Sequence, residues 1–573
     1  MKRYIFNILA GITLLTFAAC SDILEEEPRS LLTPDLFSSE KGIDAGLTAA
    51  YSHLRYIGGA QASQFSTQFG TDEFTGGEGT PNHILDMQVG SNPINASTGD
   101  ISTYWTNLFP AINTCNGIIE LGGEAGISNE KLAEAHFLRG YYYFQMVQMF
   151  GGVPLDLGSG VLKFNKSQTN LSVRNTEAEV FQAIITDLQY AVDNLPVAKS
   201  AGHANKATAL HFLAKVYLTQ GNNTLALQTA QELINPANPG AVPDDPYTAN
   251  EYGVALLPVY ADVVKVGNER NAEILFTCEH TNNSYEFNET AAGFGSGTAG
   301  KDDRSLSYYT PNYPAKFKLR ESDAGGVLLR DLTYQRPWMR FVSTHGLRQV
   351  IFADKTNDSR FHSSFVTVYL NNNNPVEGLL GTTIEVGDTA FVFADTEVSE
   401  AFKATKNYRI YNPSEITRAI YPGMSKHYDP NRKDVNDASG RPFILAKLSE
   451  TYLIAAEAAL SSNPALAREY ILALRERAAK AGKTQEMIDA TPATIDIDYI
   501  LDERSRELCG EQLRWFDLKR TGKWRDRSTS YSINGIETLG RNIQSHYDLR
   551  PIPQTQIDLM GNEDKADYQN DGY

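Results

Sequence analysis

The sequence predicts a mainly α-helical protein: a helical scaffold with tetratricopeptide-like helix hairpins, interrupted by long loop and small-strand insertions. Three observations predict it. Apolar residues recur at spacings of three and four in four stretches, the pattern of a buried helix face. Two of those stretches break at a short polar turn and then resume, as a helix hairpin does. Between the helical blocks lie long segments rich in Gly, Asn, Asp, Ser, Pro and Tyr, residues that favour turns and loops.

Residues 1–19 read as a signal peptide. Lys2 and Arg3 supply the positive start, and Tyr4 to Ala19 is an apolar run short of the roughly 20 residues a membrane span needs. Phe17-Ala18-Ala19-Cys20 is similar to a bacterial lipobox, in which the Cys20 sulfur is acylated and Cys20 becomes the new amino terminus. Two or three acyl chains, at about 0.8 kcal/mol per buried CH₂, make a stable anchor where one chain is marginal. Glu25-Glu26-Glu27 then marks an acidic linker over 20–30. No later run of 18 apolar residues follows, so no further membrane span is predicted.

The first helical stretch, 132–149, carries Leu132, Ala135, Leu138, Tyr142, Met146 and Met149 on one face. The second, 177–195, carries Val180, Ile184, Leu188 and Ala191. In 207–234, Ala207, Leu210, Ala214 and Tyr217 precede a turn at Gln220 to Asn223, and Leu225, Ala226, Ala230 and Leu233 follow it. In 445–480, Leu445, Leu448, Tyr452, Ala455 and Ala459 precede a break at Ser461 to Pro464, and Ala467, Ile471, Leu474 and Ala478 resume the pattern. Small Ala214, Ala226 and Ala230 stand where a tetratricopeptide hairpin needs close helix approach. Trp105, followed by Ile112 and Ile118, reads as a helix core. Segments 58–100, 236–270, 278–335 and 370–440 read as irregular, with strand-like runs at Phe365 to Tyr369 and Thr389 to Phe393. The mature chain divides into a helical region over 31–240, a loop-rich insertion over 241–440 and a helical region over 441–573.

Composition narrows the function. Of 573 residues, 42% are apolar and 21% charged, enough for a packed core and against disorder. With 51 Lys and Arg against 69 Asp and Glu the formal net charge is −18, which argues against nucleic acid as a partner. Four cysteines exclude a disulfide scaffold. If Cys20 is acylated, Cys115, Cys278 and Cys509 remain as an odd set, expected to be buried free thiols. No GxSxG, Walker A, HExxH or CxxC pattern occurs, so no catalytic residue is assigned. Asp429, Asn431, Asp434, Asn436 and Asp437 cluster oxygen ligands but lack the glycine and terminal glutamate of an EF-hand; no metal and no cofactor is expected. Glu503, Arg504, Arg506, Glu507, Arg514, Asp517, Lys519 and Arg520 stand at helical spacing and read as ion pairs lacing helices together, with Glu457 a buried paired acid.

Four segments carry a family resemblance: Phe137 to Phe144 with Phe150-Gly151-Gly152-Val153-Pro154-Leu155, Leu448 to Ala458, Ile500 to Leu508 with Arg514 to Arg520, and Leu549 to Gln554 with Gln569-Asn570-Asp571-Gly572-Tyr573. In this order, behind a lipobox, they resemble the SusD/RagB family of lipid-anchored nutrient-binding proteins. Asp571 departs from the family's usual proline, and Cys509-Gly510-Glu511 departs from its usual pattern. The resemblance implies a non-enzymatic lipoprotein of the outer membrane, facing outside. It would capture an oligosaccharide and deliver it to a partner SusC-like TonB-dependent transporter. Peptide capture as in the RagB branch, a surface enzyme, and a tetratricopeptide adaptor for protein partners are the alternatives.

Sugar sites need flat aromatic faces and a few polar groups for the hydroxyls. The loop Tyr308-Tyr309-Thr310-Pro311-Asn312-Tyr313 offers three tyrosines, and Trp338 stands between Arg336 and Arg340. Tyr308, Tyr309, Tyr313, Trp338 and Arg336 are therefore candidate ligand-binding residues. Asp72 is a candidate hydroxyl partner, with Glu73, Asp86 and Asn92 beside it in the same loop.

Overall fold

The computed structural model describes residues 37–80, 94–166, 173–280, 302–323, 326–560 and 568–573. The signal peptide, Cys20, the acidic linker, Asp86 and Asn92 lie outside them. The main helices are α1 (Glu40–Ser52), α2 (Gln61–Gln68), α3 (Gly99–Glu124), α4 (Asn129–Phe150), α5 (Glu177–Asn194), α6 (Lys206–Thr219) and α7 (Asn223–Ile234). After the insertion come α8 (Leu448–Ala459), α9 (Pro464–Ala478), α10 (Ile497–Leu508) and α11 (Arg514–Arg520). The stretches predicted from apolar spacing are helical, except that 445–447, with Leu445, belong to a strand and the helix starts at Leu448.

Local chemistry sets the ends. Thr176 and Glu179 form a capping box that opens α5, and Asn205, Asn222 and Asn463 each accept a backbone N–H at the start of α6, α7 and α9. Gly151, at φ 70°, ends α4 in a conformation that costs other residues. From Phe137 to Phe150 every residue of α4 is buried, so this helix is the centre of the scaffold. Truncating Leu188 of α5, fully buried, to Ala would cost about 2–5 kcal/mol.

The helices pack in chain order, α3 on α4, α4 on α5, α5 on α6 and α6 on α7. α7 then packs on α8, and α8 on α9. The two hairpins are thus neighbours in one continuous array although residues 235–447 separate them in sequence. Ala214, Ala226 and Ala230 are fully buried, as close helix approach requires.

The strands are small. The longer ones are β1 (Phe74–Gly76), β2 (Ile274–Cys278), β3 (Phe341–Ser343), β4 (Val368–Leu370), β5 (Thr389–Phe393), β6 (Arg409–Tyr411) and β7 (Phe443–Lys447). β1 pairs antiparallel with β3, and β2 with β7. β4, β5 and β6 form a three-stranded sheet, antiparallel then parallel. Its inner face joins Tyr313, Phe317, Tyr369, Phe391, Phe393 and Tyr411 in an aromatic core separate from the helical one. The insertion therefore has its own packed base.

Charged motifs act as internal fasteners. Glu503 accepts from Arg360 at 2.7 Å and from Arg506 at 2.8 Å, and Arg504 binds Asp517 at 2.7 Å and Glu450 at 3.0 Å. Glu457 pairs with Arg520. The carboxy-terminal motif is equally structural: Asn570 donates to the Phe150 and Arg550 carbonyls, and Arg174 donates to those of Phe150, Gly152 and Tyr568. Segment 58–100, expected to be irregular, contains α2. Its Ser63, Gln64, Ser66, Thr67 and Gln68 are buried and polar, so no apolar stripe announced it.

Candidate functional site

A short loop over 335–340 carries the most distinctive surface feature. Gln335 at φ 68° and Met339 at φ 53° both lie in the left-handed region, although neither is glycine. Each such residue stores of order 1–3 kcal/mol of strain, and such strain clusters at ligand sites. The loop is held by three backbone bonds: Trp338 N–H to Ser307, Met339 N–H to Thr310 and Arg340 N–H to Tyr308, at 3.1, 3.1 and 2.8 Å. On its other side Gly77 and Gly79 run against it. A Cβ on either would lie 2.2 Å from a loop carbonyl oxygen, Met339 and Trp338 respectively, so only glycine fits. The outcome is a stiff ledge continuing the β1–β3 pairing.

Trp338 sits on that ledge, partly exposed, with Tyr308 tilted against it at 5.5 Å between ring centroids. Three guanidiniums surround the indole: Arg336 at 5.3 Å, Arg340 at 5.6 Å and Arg304 at 5.7 Å from its centroid. These separations exceed the 3.9 Å at which Arg541 lies on Tyr531, so no cation is in flat contact with the indole. Arg304 pairs with Asp302 at 3.2 Å, and Arg340 donates to the Gly79 carbonyl. Arg336 makes no hydrogen bond or ion pair among the described residues. Burial, and then Arg330 and Arg304, hold its guanidinium below the usual arginine value.

The other candidates fall elsewhere. Tyr308, Tyr309 and Tyr313 are at most 2% exposed, so the expectation that their faces are open to a sugar is corrected. Tyr309 donates to Gln64 of α2 at 2.7 Å and stacks on Phe341; Tyr313 donates to the Gln335 carbonyl at 2.7 Å. These rings pin the loop to the scaffold and so support the Trp338 ledge from beneath. Asp72 is also corrected. It is clamped by Arg514 at 2.6 and 2.7 Å and by Arg527 at 2.8 Å, far from any role as a free hydroxyl acceptor. Burial alone would raise its pKa, but the two arginines outweigh it and hold the carboxyl at about 2. Glu73 accepts from Ser505, and burial pushes it up to about 7. Arg304 leads into the three-tyrosine loop in sequence, and its approach to Trp338, distant in the chain, gives no local signal.

Carboxylate oxygens of the 429–437 loop are taken up by backbone N–H groups of the loop and its flank. Asp429 accepts from the backbone of Asn431 and Gly440, and Asp434 from that of Asn436. Among the described residues no group of three His, Cys, Asp or Glu stands together as a metal site. Two cavities of about 230 and 330 Å³ are lined by other segments, around Lys199 to Asn205 and around Asn235 to Asn250. Neither includes Trp338 or its arginines.

Comparison with known proteins places the chain. The sequence model of the SusD family matches residues 235–573, and one described as "Starch-binding associating with outer membrane" matches residues 22–218. SusD-like protein P25 of Formosa agariphila is 26% identical over 599 residues, covering 99% of each chain. SusD-like protein P2 of the same organism is 24% identical, covering 97% of each. Among solved structures, a laminarin-binding SusD-like protein superposes with a TM-score of 0.62 at 23% identity, covering 93% of this chain and 100% of that one. A surface glycan-binding protein A from Bacteroides fluxus gives 0.60 at 18% identity, covering 93% and 100%. With its family model spanning more than half of the sequence and the fold shared along nearly all of it, the chain belongs to the SusD family.

Proposed function

We propose that this chain is a cell-surface lipoprotein for nutrient uptake. It captures an oligosaccharide at Trp338 and delivers it to a SusC-like TonB-dependent transporter in the outer membrane. The observation that carries the reading is the ledge: a partly exposed indole on strained, glycine-backed backbone, with arginine donors around it. An aromatic face suits the CH face of a pyranose, and guanidinium N–H groups suit hydroxyls. A stiff ledge loses little entropy on capture. The descriptions of the relatives, laminarin binding and surface glycan binding, support the ligand class.

Acylated Cys20 would hold the protein at the pore and raise its effective concentration there without new contacts. No helix among the described residues is long and apolar enough to cross a membrane. The absence of a catalytic motif in the sequence supports a binder over an enzyme.

Titration calorimetry with a glycan panel tests the reading. Trp338→Ala is expected to weaken binding about tenfold or more, the equivalent of about 1.4 kcal/mol. Tyr309→Ala should act through stability alone. Cleavage of any glycan, or equal binding by wild type and Trp338→Ala, would refute the reading. Incorporation of labelled palmitate, lost in Cys20→Ala, tests the anchor.

A further inference from the structure

The arginines around Trp338 gather guanidinium donors at one aromatic surface on a chain whose formal charge is −18. Four guanidiniums meet there. Arg304, Arg336 and Arg340 surround the indole. Arg330, exposed, joins them through Asn436: it donates to the Asn436 side-chain oxygen at 2.9 Å, while Arg304 donates to the Asn436 carbonyl. Among the described residues Asp302, Asp303, Asp331 and Asp434 stand close to these charges. Asp302 pairs with Arg304, and exposed Asp434 acts on Arg336 through space while its own oxygen caps Asn436. Of the four guanidiniums, Arg336 is the one with no hydrogen bond or ion pair among the described residues.

Like charges held together repel, and partial burial strengthens the repulsion by lowering the local dielectric. The cluster leaves hydrogen-bonding capacity unspent. Among the described residues the Nε atoms of Arg304 and Arg340 are buried without an acceptor, and Arg336 has no hydrogen bond or ion pair. A neutral sugar would satisfy some donors but none of the charge. An oxyanion on the sugar would satisfy both, and the guanidinium fork matches carboxylate or sulfate oxygens in pairs.

Resting on the glycan-binding reading above, we infer that the ligand is an anionic oligosaccharide, one whose sulfate esters or uronate carboxylates are taken by Arg336 and Arg330 while its ring lies against Trp338. The shared chemistry is an oxyanion carried on a pyranose.

The test is calorimetric titration of the whole protein with backbone-matched pairs. One pair is a sulfated galactan oligosaccharide and its desulfated form; the other is an oligogalacturonate and its carboxyl-reduced form. In at least one pair the anionic member should bind tenfold or more tightly than its neutral partner, and its affinity should fall as salt rises. Which pair responds tells sulfate from carboxylate. Arg336→Gln and Arg330→Gln, each at a solvent-accessible side chain, should each weaken the anionic member about tenfold with the unfolding midpoint unchanged. Equal binding within both pairs, with Arg336→Gln without effect, overturns this inference and leaves glycan capture standing. Binding by no member of either pair overturns it together with the reading on which it rests.

Discussion

Asp72→Asn separates a fastener from a ligand group. Asp72 joins the loop before β1 to α11 and to Arg527, across more than four hundred residues of sequence. The substitution keeps shape and removes charge, leaving Arg514 with Glu73 at 3.7 Å, a carboxyl that burial raises to about 7. The arginines hold Asp72 at about 2 against its ordinary value of 3.8. At about 1.4 kcal/mol per tenfold, that difference is worth about 2–3 kcal/mol at neutral pH. Breaking a buried pair by removing one partner is known to cost about 3–5 kcal/mol, so about 2–4 kcal/mol is expected. Urea unfolding followed by tryptophan fluorescence reads it, because Trp524 donates to the Gly70 carbonyl beside this loop. The midpoint should fall with the slope unchanged, and glycan affinity should stay as in wild type. Wild-type stability combined with lost glycan binding would refute the reasoning.

Three further outcomes follow from the same interactions. Asp72 and Glu507 are held at about 2, against ordinary values of 3.8 and 4.5, because arginines, joined at Glu507 by Lys447 and Lys426, outweigh the burial that would raise them. A depressed folded pKa stabilises above the unfolded value, so that contribution is present above about pH 4.5 and is lost as pH falls toward 2; a melting temperature flat over that window would contradict it. Cys115 and Cys509 are buried and pushed up to about 12 by burial, with Cys278 raised likewise. Ellman's reagent should therefore label none of the three until denaturant is added. Gly79→Ala would press a Cβ into the Trp338 carbonyl, and should weaken glycan binding about tenfold without touching the ligand; unchanged affinity would show the ledge to be pliant.

Periodicity made the scaffold legible because α4 to α9 bury apolar faces at helical spacing. It could not reveal α2, where Gln64 and Ser63 are buried as hydrogen-bonding residues: Gln64 binds Tyr309 and Ser305, and Ser63 binds Tyr104. The paired charges around Glu503 were legible as fasteners because their spacing put them on one helix. Asp72 was not, since its partner lies 442 residues away. The loop aromatics divide for a similar reason. Tyr308, Tyr309, Tyr313 and Trp338 share one kind of sequence surroundings, and only the path of the chain decides which rings are buried and which one stays partly exposed. Trp338 and Arg336 are neighbours in sequence, and the fold brings Arg304 beside the same indole.

The central claim is that a glycan lies against Trp338. A crystal structure of the protein with a bound oligosaccharide tests it most directly. The account predicts a sugar ring within about 4 Å of the indole, with polar contacts from Arg336. A glycan ordered in one of the cavities near Asn205 or Asn250, with the Trp338 ledge bare, would contradict it.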